Sequence, residues 1–373
     1  MNKTYDIIII GGGVIGCSVA FRLAEHGLRV AVVEKGRPGE EASRAAAGML
    51  APFADAFHAV PEPLRPLCFE SLARYPDFVA QLQEETGVTI RYRTTGSFCV
   101  ATDFAEAQML AGLMERVTQA GGQAEELSPT ALRRRLPALT EAVELGLFLP
   151  GDHYVDPRDL MTALWAACVQ RGVTFYLETP VQRLVCEGER VTRVCTATEA
   201  LQGETVVNAA GSWAGLLSAG PESQVPVRPI RGQIVSLEQR PQPLPTLVHA
   251  GGCYLVPWPD GRILVGATME NVGFDQSVTA EGVRSLLDAA LKLLPGLQHA
   301  SVVESWAGLR PGTPDDLPIL GVGQVRNLVY ATGHFRNGIL LAPITADLIR
   351  QLITSNQTAF SLTPFLPTRF AQS

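Results

Sequence analysis

The sequence predicts an α/β protein in two parts: a unit built on a parallel sheet, and a second, α+β unit built on an antiparallel sheet. Three observations carry this expectation. At 373 residues the chain exceeds the roughly 250–300 that one hydrophobic core usually supports. Its opening reads strand, glycines, helix, strand within about thirty residues. Between Pro226 and Ser301 the pattern turns to hairpins instead.

Each element follows from a local signal. Tyr5 to Ile10 ends in an unbroken isoleucine run, as expected of a strand buried on both faces. Val14, Cys17, Ala20, Phe21 and Ala24 recur at helical spacing up to His26, and Gly27 closes that helix. Arg29 to Glu34 is a second apolar strand. Pro61 to Glu85 is again helical in spacing, and Val88 to Val100 predicts strands that have left the first unit. Ala105 to Ala120 and Pro129 to Leu136 predict short surface helices. Gly146 to Pro157, rich in Gly, Pro and Asp, reads as a crossing segment before a helix over Arg158 to Gln170. Val173 to Leu177, Arg183 to Cys186 and Thr205 to Asn208 predict strands returning to the first sheet. Ile230 to Leu237, Cys253 to Val256 and Arg262 to Ala267 form an antiparallel set around the turn Trp258-Pro259-Asp260-Gly261. Asn327 to Thr332 then predicts a strand and Ile339 to Leu352 a helix. The resulting division gives 1–88, 147–221 and 304–373 to the first unit, and 89–146 and 222–303 to the second.

Composition narrows the function classes. A hydrophobic share of 46% with 18% charged residues describes a globular chain. A net charge of -7 without a Lys/Arg block excludes a dedicated nucleic-acid binder. The seven cysteines lack any C-x-x-C pair and read as free thiols of a reducing compartment, with cytoplasm as the expected location. The N-terminal apolar run is too short for a signal peptide, and no run of about 18 apolar residues predicts a membrane span. No metal-ligand cluster is read.

Gly11-x-Gly13-x-x-Gly16, placed between strand and helix, is the Rossmann dinucleotide fingerprint: each glycine sits where a Cβ obstructs the turn, the pyrophosphate or helix packing. Val14 and Ile15 open the helix whose N-terminal N–H groups face the phosphates. Glu34 suits ribose hydroxyls, with a solvated strand-end carboxylate as the bland alternative. An acid there disfavours a 2′-phosphate and hence NADP. Ser43 to Met49 is a run of small residues that suits a flat ring system, although a helix packing surface explains its composition equally well.

The opening YDIIIIGGGVIG with Glu34, the run SRAAAGMLAP, the stretch ETVVNAAGSWAG, the hairpin CYLVPWPDGRILVGATME, the segment WAGLRPGTPDDLPILG and the late HFRNGILLAP together resemble the D-amino-acid oxidase superfamily of flavoproteins, in its glycine oxidase branch associated with thiamine synthesis. The likeness covers the whole chain in register. It implies a Rossmann-type FAD-binding domain and an α+β substrate domain. FAD-binding positions are then Gly11, Gly13, Val14, Ile15, Gly16, Glu34, Lys35, Ser43, Arg44, Ala46, Ala47, Gly48 and Met49 in the N-terminal part. Further along the chain they are Val181, Ala210, Gly211, Trp213, His334, Arg336, Asn337, Gly338, Ile339 and Leu340. Noncovalent FAD is implied, because no cysteine follows Cys253 to serve the covalent link of sarcosine oxidases.

The same resemblance implies that Arg310 grips a substrate carboxylate, a task a planar guanidinium performs bidentately. The structural alternative for Arg310 is an ion pair with Asp315 or Asp316. Tyr254 matches a tyrosine meeting the same carboxylate, and its alternative is cross-strand packing. Met269 matches a residue that narrows the pocket, and Arg336 a second arginine near it. Gly252 departs from the family pattern, which has a polar residue ahead of the Cys-Tyr pair. The implied reaction is oxidative deamination of glycine, with sarcosine or small D-amino acids as further substrates. It proceeds by hydride transfer from the α carbon to flavin N5, requires no catalytic base, and uses molecular oxygen to give oxo acid, ammonia and hydrogen peroxide. A D-amino-acid dehydrogenase or oxidase, or a sarcosine-type secondary amine oxidase, is the alternative. Members of this family are homo-oligomers, often tetramers.

Overall fold

The computed structural model describes residues 4–53 and 60–370. Residues 1–3, 54–59 and 371–373, which the expected first unit includes, lie outside the described residues. Thr4–Ile10 runs parallel to Val30–Val33 on one side and to Ala200–Asn208 on the other. Thr174–Tyr176 and Leu328–Thr332 extend this parallel sheet at either flank. The central strands are apolar throughout, with Ile8, Ile9, Ala31 and Val32 fully buried, because helices Val14–Ala24, Arg65–Thr86, Pro157–Gln170 and Gly338–Ser355 pack together over one face. The helix expected over Pro61 to Glu85 continues to Thr86 through Pro76 and stops at Gly87, whose left-handed φ of 70° suits a residue without Cβ.

The second sheet holds eight strands in the order Ser301–Gly312, Arg228–Glu238, Arg262–Gly266, Cys253–Pro257, Leu247–Ala250, Ser97–Ala101, Leu145–Leu149, Glu125–Leu127. All neighbours are antiparallel except Leu247–Ala250 with Ser97–Ala101. Helix Ala280–Leu293 packs on this sheet through Leu286, Ala290 and Leu293.

The structure departs from expectation in several elements. Gly146 to Pro157 is not a plain crossing but contributes strands Leu145–Leu149 and His153–Val155. Arg183–Glu187 folds back antiparallel on an unforeseen strand, Arg190–Cys195, before the chain rejoins the parallel sheet. Helix Ala280–Leu293 lay in a stretch read only as hairpins. The expected boundaries at 146/147 and 303/304 fall inside Leu145–Leu149 and Ser301–Gly312, both paired in the antiparallel sheet.

Candidate active site

A cavity of about 440 Å³ lies between the two sheets. The parallel unit supplies one end. There Gly11 has a φ of 107°, and a Cβ at this residue would lie 2.4 Å from the Ala209 carbonyl oxygen, so only glycine turns the chain this close to the neighbouring strand. Helix Val14–Ala24 begins here, and the Val14 N–H donates to Ser43 Oγ at 2.9 Å. Glu34 is 7% exposed, and its carboxylate accepts from the Gly12 N–H at 2.6 Å and the Gly36 N–H at 2.9 Å. A glycine turn, a helix N-terminus and an acid fixed at the adjacent strand end make a cradle that fits a dinucleotide.

The opposite wall is one face of the antiparallel sheet. Register places His249, Tyr254, Gly266, Ile234 and Trp306 in a single row across five strands. Two glycines in this wall make room for long side chains. A Cβ at Gly232 would lie 2.2 Å from Arg310 Nη1, so the guanidinium lies across that strand. A Cβ at Gly266 would lie 2.4 Å from Tyr254 Oη, so the phenol does the same one strand over. Arg310 Nη1 donates to the Thr268 carbonyl at 3.0 Å. The Thr268 hydroxyl in turn donates to Glu270, which also accepts from Gln233 and from buried Arg231. Burial raises the Glu270 pKa, but these donors outweigh it and hold the carboxylate ionised below its usual range.

Segment 267–279 then crosses the cavity rim. Arg231 holds Asp275 at 2.6 Å, Phe274 packs on Trp213 with ring centroids 5.5 Å apart, and Gln276 donates to Glu41 at 2.8 Å. Lys35 Nζ lies 3.4 Å from the Trp213 ring centroid. The antiparallel unit therefore rests on the rim of the parallel unit. The walls also meet directly, since Trp306 Nε1–H donates to the Ala45 carbonyl at 3.1 Å.

The cavity brings together Arg310, Tyr254, Met269 and Arg336 with Gly11, Gly13, Val14, Ile15, Glu34, Lys35, Ser43, Ala46, Ala47, Gly48, Met49, Val181, Ala210, Gly211, Trp213, His334, Asn337, Gly338, Ile339 and Leu340. Two expected residues do not line it. Gly16 sits behind, where a Cβ would lie 1.9 Å from the Gly11 carbonyl oxygen, so its part is helix packing. Arg44 turns into a separate small recess with Asp156, Arg158 and Trp306. Met269 stands at the mouth, 49% exposed, rather than deep in the pocket. Asp315, the alternative partner considered for Arg310, accepts from Arg369 at 2.8 Å. His334 is buried against the Thr345 hydroxyl at 3.0 Å, and burial pushes its pKa down to about 3.

Sequence reasoning missed His249, Thr268, Gly232 and Gly266 among the lining residues. The two glycines carried a usable signal, because a glycine inside a strand marks close approach of another group. His249 carried none.

A model of the DAO family, described as FAD dependent oxidoreductase, matches residues 6–352. The chain belongs to the FAD-dependent oxidoreductases of the DAO family. It is 39% identical to the glycine oxidase of Geobacillus kaustophilus, over 99% of this chain and 98% of that one. A crystal structure of glycine oxidase from Geobacillus kaustophilus superposes with a TM-score of 0.94, at 38% identity over 99% of both chains. Hydrogen cyanide synthase subunit HcnC of Pseudomonas aeruginosa is 36% identical over 99% of this chain and 97% of its own. The bifunctional protein ThiO/ThiG of Trichormus variabilis is 38% identical over 98% of this chain, which spans 55% of that longer protein. FAD is thus the dinucleotide that the cradle fits. Among the described residues no helix is long and apolar enough to cross a membrane.

Proposed function

We propose that this protein is an oxidase of glycine and similarly small amino acids, including sarcosine and small D-amino acids, and that it releases oxo acid, ammonia and hydrogen peroxide. The observation that carries this reading is the convergence of Arg310 and Tyr254, each seated over a glycine of a neighbouring strand, in the cavity that also holds the dinucleotide cradle. The residues lining the parallel-sheet side hold FAD noncovalently, and the antiparallel sheet presents the substrate to it. FAD held there would supply the hydride acceptor for the substrate α carbon and the outlet of the electrons to oxygen.

The chain's own contribution is positional. Arg310 and Tyr254 fix the carboxylate and so aim the Cα–H bond, and no side chain is required as a base when the amine arrives neutral. The anchoring of Thr268 by Glu270 and Arg231 keeps the Arg310 guanidinium in place from behind. Arg336 lines the same cavity and adds positive charge for an anionic ligand. Likeness to ThiO/ThiG supports delivery of the product imine to thiamine thiazole synthesis, and likeness to the glycine oxidase branch supports a homo-oligomer. Mixing the yellow protein anaerobically with glycine, sarcosine and D-alanine, then admitting air, tests the reading. Bleaching by glycine with peroxide on aeration is expected. Bleaching only by bulkier amino acids, or no peroxide, transfers the assignment to a D-amino-acid oxidase or to a dehydrogenase.

A further inference from the structure

His249 is buried on the cavity wall, and its Nε2 has no hydrogen-bond partner. It faces Tyr254 across the strand pair, with ring centroids 6.5 Å apart at 61°. Buried polar atoms in native proteins nearly always have a partner, so an orphan beside an open cavity marks a bond that something entering the cavity completes. Burial pushes the imidazole down to about 4, so at neutral pH the ring is an uncharged donor and acceptor. Beyond it the wall is Ala250, Gly251 and Gly252, whose small size leaves space. The Glu106 carboxylate packs on the Gly251 backbone, where a Cβ would lie 2.1 Å from its Oε1. A nearby negative charge and a neutral ring favour an uncharged polar group over a second anion.

We infer that His249, with the Ala250–Gly252 wall, forms a polar subsite that takes a hydroxyl-bearing substituent on the α carbon or the amine of an amino acid held by Arg310 and Tyr254. This deepens the proposed function and rests on it. His249 is thereby a specificity-determining residue, one strand further from Arg310 than Tyr254. A single neutral hydrogen bond sets the scale, about five- to tenfold in kcat/KM.

The test compares D-serine with D-alanine, and N-(2-hydroxyethyl)glycine with N-ethylglycine, in the holoenzyme and in its His249→Leu and His249→Asn variants. Each ratio is read within one variant, so general losses cancel. The expected result is a preference for the hydroxylated member of at least one pair, lost about five- to tenfold in His249→Leu and largely restored in His249→Asn. Ratios that do not differ between wild type and His249→Leu overturn the subsite while leaving the oxidase reading intact, and mean that the imidazole meets ordered water only. If the wild type oxidises none of these amines, the oxidase reading has failed instead. Spectral titration of the bound flavin with 3-hydroxypropionate and propionate then decides the subsite. A hydroxyl preference abolished in His249→Leu supports it; equal affinities, or no binding of either acid, overturn it.

Discussion

Replacing Gly232 by alanine tests the geometry of the site without touching any residue assigned to binding. The new methyl would sit 2.2–2.4 Å from three atoms of the Arg310 guanidinium, far inside contact distance. The obstructed group is the far end of a flexible side chain, so it swings aside and the strand is unaffected. Gly232 lies in a strand interior paired with Gly308, where alanine is no worse than glycine. Stability and flavin content are therefore expected to hold. Displacing the fork sacrifices at least one charge-assisted hydrogen bond to the substrate carboxylate, about 2–3 kcal/mol, or roughly 30- to 150-fold in kcat/KM. Because that bond is made in both ground and transition states, the loss appears mainly as a raised KM. Steady-state peroxide production across glycine concentrations, with Tm and flavin absorbance on the same samples, reads all three quantities. An unchanged KM refutes the placement of Arg310 at the carboxylate. Lost flavin with a lowered Tm refutes the argument that only a side chain moves.

Arg310→Lys is expected to retain FAD and lose most of its substrate affinity, since a point charge does not reproduce the fork; unchanged glycine titration of the flavin spectrum refutes it. His334 is held near 3 by burial against an ordinary 6.5, so the unfolded chain takes up a proton first and stability falls by about 5 kcal/mol as pH drops from 6.5 to 3. His334→Gln flattens that limb in chemical denaturation, and an unaltered limb counts against a neutral His334. Asp152 behaves oppositely: burial raises its pKa to about 7, partly offset by the Ser97 hydroxyl, so its neutral form favours the fold at low pH and about 4 kcal/mol is lost as pH rises from 3.8 through 7. Asp152→Asn is expected to gain Tm at pH 8 relative to pH 5, and equal gains at both pH values refute the raised pKa.

How much of this was visible beforehand depends on how local each signal is. The strand, glycine turn, helix and Glu34 lie close together in the chain and obey short-range rules, so residues 5–34 could be read directly. The hairpin around Pro259 and Asp260 is equally local. Ser301–Gly312 was not recognised as a strand, because Pro311 argues against one in isolation; it is tolerated because this sheet-edge strand has a single neighbour, Arg228–Glu238. Leu145–Leu149 is a five-residue apolar run beside Gly151 and Asp152, too short for periodicity to classify. Arg44 lies within a run of cavity residues, yet one turn of helix, Ala42–Ala45, aims it the other way. The placement of His249 beside Tyr254 depends on how many residues the 250–253 turn contains, and residue type carries no trace of that.

Segment 267–279 also acts as a tie between the two halves of the molecule. It belongs to one half and rests on the other, with Phe274 on Trp213 and Gln276 on Glu41, so anything seated beneath it acts as cement between the halves. A ligand at a thousandfold excess over its Kd adds about 4 kcal/mol to the folded form that binds it. Limited proteolysis of flavin-free protein is therefore expected to cut first along this seam, with added FAD slowing the cleavage, and equal cleavage rates with and without FAD refute it.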